Sequence, residues 1–123
     1  MESLIIEVKT PWPLVNVEED NGELVVSFHE EAFQWPSVEE VAAILLTLVD
    51  ETEGGPLVLN FGTVGYLTGV GLEKLVLVNK KLTSQGRRLH IRNVDPELMN
   101  VFALTGLTKE FEVKAAEAHR LTA

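Results

Sequence analysis

The chain reads as an α/β protein: a mixed β-sheet of four to five strands packed with three to four helices. Three observations predict this. Short apolar runs with period two fall at Leu14–Val17, Leu24–Phe28 and Arg88–Arg92, longer runs carry apolar residues at helical spacing, and the two kinds alternate along the chain. A hairpin followed by helix, strand, helix, strand, helix implies a mixed sheet with helices on one side or both.

Taken in order, the first two strands flank Asn21-Gly22, whose residues both accept positive φ, so they are expected to pair antiparallel through a tight hairpin. Ser37 followed by Glu40 has the spacing of a capping box. Val38, Val41, Ala42, Leu45, Leu48 and Val49 then recur at helical spacing, which predicts a first helix over 38–50, stopped by Glu53-Gly54-Gly55-Pro56. Leu57, Val58, Leu59, Phe61 and Val64 crowd together as in a strand buried on both faces.

The strand gives way to Gly69-Val70-Gly71, and Leu72, Leu75 and Val76 restart as a helical stripe, predicting a second helix over 70–85. Gly86 is placed for a left-handed C-cap, with Lys80 and Lys81 near the negative end of the helix dipole. Arg88–Arg92 follows as a half-exposed strand. Asp95-Pro96 then supplies an N-cap and the proline that suits the first helical position, and Leu98, Val101 and Phe102 carry a third helix to Gly106. Phe111–Val113 reads as a last short strand, and Lys114–Leu121 as a short terminal helix.

The 123 residues fit one domain, and no repeat, low-complexity tract or Pro/Gly/Ser linker divides them, so residues 1–123 are expected to form a single one. The absence of cysteine excludes disulfides, thiol catalysis and thiolate zinc sites. The opening MESLIIEVKTPWP has Glu2 and Glu7 where a signal peptide is basic, and its apolar run is too short to cross a membrane. A cytoplasmic protein without membrane insertion is expected.

The formal charge of −9 is unevenly spread: residues 1–55 hold 13 acidic side chains against Lys9 alone, while residues 56–123 hold six against nine basic ones. An acidic field of this size argues against nucleic acid as a partner. The basic group Lys74, Lys80, Lys81, Arg87, Arg88 and Arg92 can receive an acidic protein surface, or simply form solvated faces.

The junction at 68–71 concentrates the functional expectation. A loop that feeds a helix N-terminus leaves backbone N–H groups unpaired, which favours an anion, a phosphorylated side chain or a partner's carboxylate.

Five segments in this order resemble the STAS domain, the family of bacterial anti-sigma-factor antagonists and of the cytoplasmic tails of sulphate transporters: the strand LVLNF, the loop and helix VGYLTGVGLEKL, the strand GRRLHI, the helix DPELMNVF, and LTGLTKEFEV. The resemblance runs from about Gly22 to Val113. It implies a STAS-like fold and a non-enzymatic regulatory module that binds an anti-sigma factor, a serine kinase or a related signalling partner. In that family the central strand ends in aspartate, and the loop reads aspartate, serine, small residue, glycine, leucine, with the serine as phosphoacceptor. Anchored on Gly71-Leu72, Thr68 stands at the aspartate, Gly69 at the phosphoacceptor, Val70 at the small residue, and Asn60 at the strand-end aspartate. Gly69 cannot be phosphorylated, so the usual serine switch is expected to be missing. Thr68 is the nearest hydroxyl, a displaced acceptor or simply a helix cap, and Thr63 a more remote one.

The expected partner-binding surface is therefore the loop Thr68, Gly69, Val70 and Gly71 with the helix face carrying Lys74, Lys80 and Lys81. An anion or nucleotide sensor built on the second-helix N-terminus, and a degenerate scaffold subunit, are the alternatives. No catalytic residue, cofactor or metal is expected. His29, His90 and His119 lack metal-ligand spacing, and the pairs Glu30-Glu31 and Glu39-Glu40 read as solvated. No nucleophile elbow, phosphate loop or dinucleotide fingerprint occurs. Trp12 and Trp35 are either interface anchors or core plugs; the core role is favoured for Trp35, beside the first helix, and Trp12 is left open.

Overall fold

The computed structural model describes residues 14–116. In chain order they form β1 (Val15–Asp20), β2 (Glu23–Phe28), α1 (Ser37–Glu51), β3 (Leu57–Asn60), α2 (Gly69–Thr83), β4 (Leu89–Val94), α3 (Pro96–Leu104), a 3-10 turn (Leu107–Lys109) and β5 (Glu112–Ala115). The five strands make one sheet in the order β1-β2-β3-β4-β5. β1 and β2 are antiparallel, with Val17 opposite Val26, and every later neighbour is parallel. Asn21 and Gly22 turn the hairpin with φ of 53° and 82°, the left-handed values that an Asn-Gly pair accepts at least cost.

Three successive parallel crossovers step in one direction across the sheet, and right-handed connections then place α1, α2 and α3 on the same face. The burial pattern agrees. Leu57 and Leu59 join the core with Val26, Leu89 and Ile91, together with Val41, Leu45 and Leu48 of α1, Leu75, Val78 and Leu82 of α2, and Leu98 and Phe102 of α3. Val58 points to the opposite face, yet it is also fully buried, so β3 is covered on both sides as its unbroken apolar sequence requires. On that outer face Arg92 reaches Glu23 through both guanidinium nitrogens, at 3.2 and 3.3 Å, and His90 Nδ1 lies 3.2 Å from Glu112.

Several elements depart from expectation for local reasons. Ser37 is not a cap: it is the first helical residue of α1, and Pro36 stands at the N-cap with no side-chain hydrogen bond. The preceding turn supplies the missing acceptors, since Val38 N donates to Gln34 O at 2.8 Å and Glu39 N to Pro36 O at 3.0 Å. β3 ends at Asn60 because the Asn60 carboxamide turns back to accept from Gly62 N at 2.9 Å. β5 is shifted toward the C-terminus, and Lys114 and Ala115, expected at the start of a helix, belong to it. Ala116 follows the strand in no regular element, and residues 117–121 of that expected helix, with His119, and the opening segment with Trp12 lie outside the described residues.

α2 closes on a Schellman arrangement: Gly86 takes φ of 75°, Arg87 N donates to Leu82 O and Gly86 N to Thr83 O, both at 2.9 Å. Asp95 caps α3 by accepting from Glu97 N at 2.9 Å.

Candidate functional site

Because β2, β3 and β4 are parallel, the segments that follow them emerge at one end of the sheet. The α2 N-terminus sits in the middle of that end. Thr68 is its N-cap, with extended backbone and a hydroxyl that accepts from Gly71 N at 3.2 Å; Leu72 N donates to Thr68 O at 3.0 Å to start the helical ladder. One of the unpaired amides of the first turn is thereby taken by the chain's own side chain, which leaves fewer for an anion. The capping role expected of Thr68 is thus the one its geometry performs.

The four loop positions differ sharply. Gly69 is exposed and a Cβ there would meet nothing within 4 Å. Val70 is also exposed. Gly71 is buried: a Cβ would lie 2.8 Å from Leu67 Cδ2 and 3.8 Å from Phe33 Cδ1. Its lack of a side chain lets the first turn of α2 close on Leu67, a packing role rather than a place for a partner. Asn60, at the strand end, accepts from Asn93 Nδ2 at 3.0 Å as well as from Gly62. Thr63 donates its hydroxyl to Phe28 O at 2.7 Å and so ties the loop to the end of β2.

The lysines expected to form the docking face are only partly available. Lys74 Nζ lies 3.0 Å from Glu39 and Lys81 Nζ 2.8 Å from Asp50, so both are held by carboxylates of α1. Lys80 is exposed and lines a groove of about 460 Å³ between α2 and the end of α3, beside Leu72, Val76, Leu77, Thr105 and Leu107. Leu77 is 47% exposed there and Val70, seven residues before it on the same side of the helix, 39%. The accessible part of α2 is therefore more apolar than its lysine count suggests.

Arg87, grouped with the solvated cations in the sequence, is instead buried. Its guanidinium donates to Val49 O, Thr52 O, Gly55 O, Gln85 Oε1 and Thr52 Oγ1, at 2.9 to 3.2 Å. Trp35, expected to plug the core, is 70% exposed. Phe33 fills that role, with its ring centroid 4.9 Å from Phe28 and 5.2 Å from Phe61. Trp35, in the turn that leads into α1, and Tyr66, in the loop that leads into α2, are both exposed, and neither was legible as a surface group because a loop offers no periodicity to sort in from out.

Among the described residues no cluster of His, Asp or Glu is placed to hold a metal ion, and no helix is long and apolar enough to cross a membrane.

Comparison with known proteins agrees with this architecture. The fold is similar to that of an anti-sigma-factor antagonist (STAS) domain protein from Planctomyces limnophilus, with a TM-score of 0.74 at 16% identity, covering 88% of this chain and 95% of that one. It is also similar to a sulfate transporter family protein from Wolinella succinogenes, with a TM-score of 0.65 at 17% identity over 80% and 81% of the two chains. No curated protein matches the sequence. The STAS domain family matches residues 15–119, which takes in all five strands and all three helices described above, and the chain belongs to that family.

Proposed function

We propose that this STAS domain is a non-enzymatic regulatory module that binds an anti-sigma factor of the serine-kinase type, or a related signalling protein, through the start and exposed side of α2. The observation that carries the reading is the open first turn. Gly69 and Val70 face solvent with space around them, and Leu77 and the groove beside Lys80 continue the accessible surface along the same helix. Large apolar side chains on a surface are where association energy concentrates. An antagonist-like fold supports the reading, and the glycine at position 69 gives it a particular form: the partner is bound without a serine phosphate to release it.

Binding of the purified protein to a serine-kinase anti-sigma factor from the same organism, followed by calorimetry, tests this. Gly69→Trp adds bulk where the structure has room, so it is expected to leave the fold intact and lower affinity by about tenfold or more. Leu77→Asp is expected to weaken binding while changing unfolding free energy by less than about 0.5 kcal/mol. Incubation with kinase and ATP is expected to leave the chain unphosphorylated, and Gly69→Ser to create an acceptor at the helix N-terminus. Unchanged affinity in both binding variants rules out this surface; phosphate on Thr68, absent from Thr68→Ala, rules out the unphosphorylated form of the mechanism.

A further inference from the structure

The groove beside α2 has the dimensions and the lining of a small-molecule site. One wall is the side of α2 that bears Leu72, Val76 and the 47% exposed Leu77; the other is Thr105 and Leu107, at the turn after α3. The two walls are held at a fixed spacing. Asn79, buried on α2, donates from Nδ2 to Glu110 O at 3.1 Å, and Gly106, with φ of 77°, turns the chain between Thr105 and Leu107. A preformed groove of about 460 Å³ falls in the size range of ligand sites, which are mostly apolar with a few placed polar groups.

Its polar groups narrow the ligand. The Thr105 hydroxyl is taken by Val101 O at 2.8 Å, and Lys74 is held by Glu39. Lys80, the other lining lysine, forms no ion pair among the described residues. Glu73, the lining carboxylate, stands seven residues before Lys80, about 10 Å along the helix, so it repels an anion from the opposite end. The groove thus offers a cation at one end, an aliphatic floor, and an open end at Gly69, where a Cβ would meet nothing within 4 Å. From Gly69 to Lys80 the helix rises about 16 Å, room for a chain of about eight to ten carbons. A partner helix, about 10 Å across, has no second wall to rest on, since Thr105 and Leu107 alone stand opposite α2 among the described residues.

We infer that this groove binds a medium-chain aliphatic carboxylate, with Lys80 Nζ on the carboxylate and Leu72, Val76, Leu77 and Leu107 along the chain. Gly69 and Leu77 belong both to the groove and to the proposed docking surface, so a bound carboxylate competes with the protein partner and gives release without a serine phosphate. The competition rests on the reading of α2 as the docking surface; the ligand site does not.

The test titrates the full chain with sodium decanoate below its micellar concentration, followed by calorimetry, with octanoate and hexanoate for chain length and octanol as the uncharged match of octanoate. Decanoate is expected to saturate one site, and each methylene removed to weaken binding about twofold to fourfold. Lys80→Met keeps an aliphatic stem and removes the ammonium; it is expected to weaken the carboxylates about threefold to fivefold and octanol by less than about twofold. Lys114→Met, the same change at an exposed position of β5, is expected to leave the carboxylates unchanged. Leu77→Asp is expected to weaken decanoate about tenfold, by lost apolar contact and by repulsion. Circular dichroism of each variant checks the fold. No saturable binding, affinity independent of chain length, or equal effects of Lys80→Met and Lys114→Met overturns the inference. Decanoate at about ten times its dissociation constant is expected to lower the apparent affinity for the serine-kinase anti-sigma factor about tenfold. Decanoate bound with the partner unaffected overturns the competition and keeps the ligand site. No decanoate binding, with Gly69→Trp still weakening the partner, overturns the ligand site and leaves the docking reading standing.

Discussion

Gly69 and Gly71 lie two residues apart in one helical turn, and their surroundings give them opposite tolerances. A side chain at 69 enters open solvent, whereas one at 71 must displace the buried Leu67 and press toward Phe33. Gly71→Val is therefore expected to lower unfolding free energy by about 2 kcal/mol, the usual scale for overpacking, and Gly69→Val to change it by less than about 0.5 kcal/mol. Urea denaturation of the two variants checks the difference, and similar midpoints would contradict the assignment of Gly71 to packing. Thr68→Ala is expected to cost about 1 kcal/mol, as loss of a cap does. The cap was legible from sequence because it is a local matter: a hydroxyl three residues before an amide it can reach. The burial of Gly71 was not, since it depends on how Leu67 folds under the helix. Phe33 and Trp35 pose the same difficulty, two aromatics in one loop with nothing in their spacing to say which turns inward.

At the level of elements, α1 ends without a basic residue in its last turn, and Arg87, beyond the end of α2, supplies the cation instead. Its donors satisfy Val49 O and Thr52 O at the negative end of α1 and Gly55 O in the connection to β3, so one side chain fixes how α1, α2 and β4 meet. Removing it leaves buried carbonyls without donors. Arg87→Met is expected to cost about 3 kcal/mol, and Arg88→Met, at an exposed position, less than about 0.5 kcal/mol. Thermal unfolding monitored by circular dichroism separates them, and comparable losses would show that the guanidinium network is not the joint. By contrast, the Lys74–Glu39 and Lys81–Asp50 pairs between α1 and α2 are well solvated, and such pairs contribute roughly 0–1 kcal/mol. Helices α1, α2 and α3 were legible from their apolar stripes and stops to within a few residues. Adjacent arginines carry no such pattern, and only the arrival of α1's carbonyls beside position 87 tells the two apart.

Across the described residues, several ties join segments remote in sequence: Arg92 to Glu23, Thr63 to Phe28, Asn79 Nδ2 to Glu110 O at 3.1 Å, and Arg87 to the end of α1. Apart from Ala42 and Val58, the buried apolar residues of the described elements form one cluster that runs from Val15 in β1 to Phe111 before β5. The order of elements made this topology readable, because a hairpin feeding three parallel crossovers admits few right-handed arrangements. What the order could not reveal is the pairing of charges between the helices, in which Glu39 and Asp50 of α1 take up Lys74 and Lys81 of α2. A core shared by every layer gives no plane along which part of the fold can melt first. Loss of α3 packing exposes Phe102 against Phe111 and Phe61, and through Phe61 the contacts with Phe33 and Phe28. Unfolding is therefore expected to be a single transition, with far-ultraviolet circular dichroism and the near-ultraviolet signal of the buried phenylalanines giving the same midpoint in urea. Leu59→Ala, at the centre of the shared core, is expected to lower that midpoint for both probes together by about 3 kcal/mol of stability. Separation of the two curves, in the wild type or in the variant, would mean that the sheet and its helices do not fold as one unit.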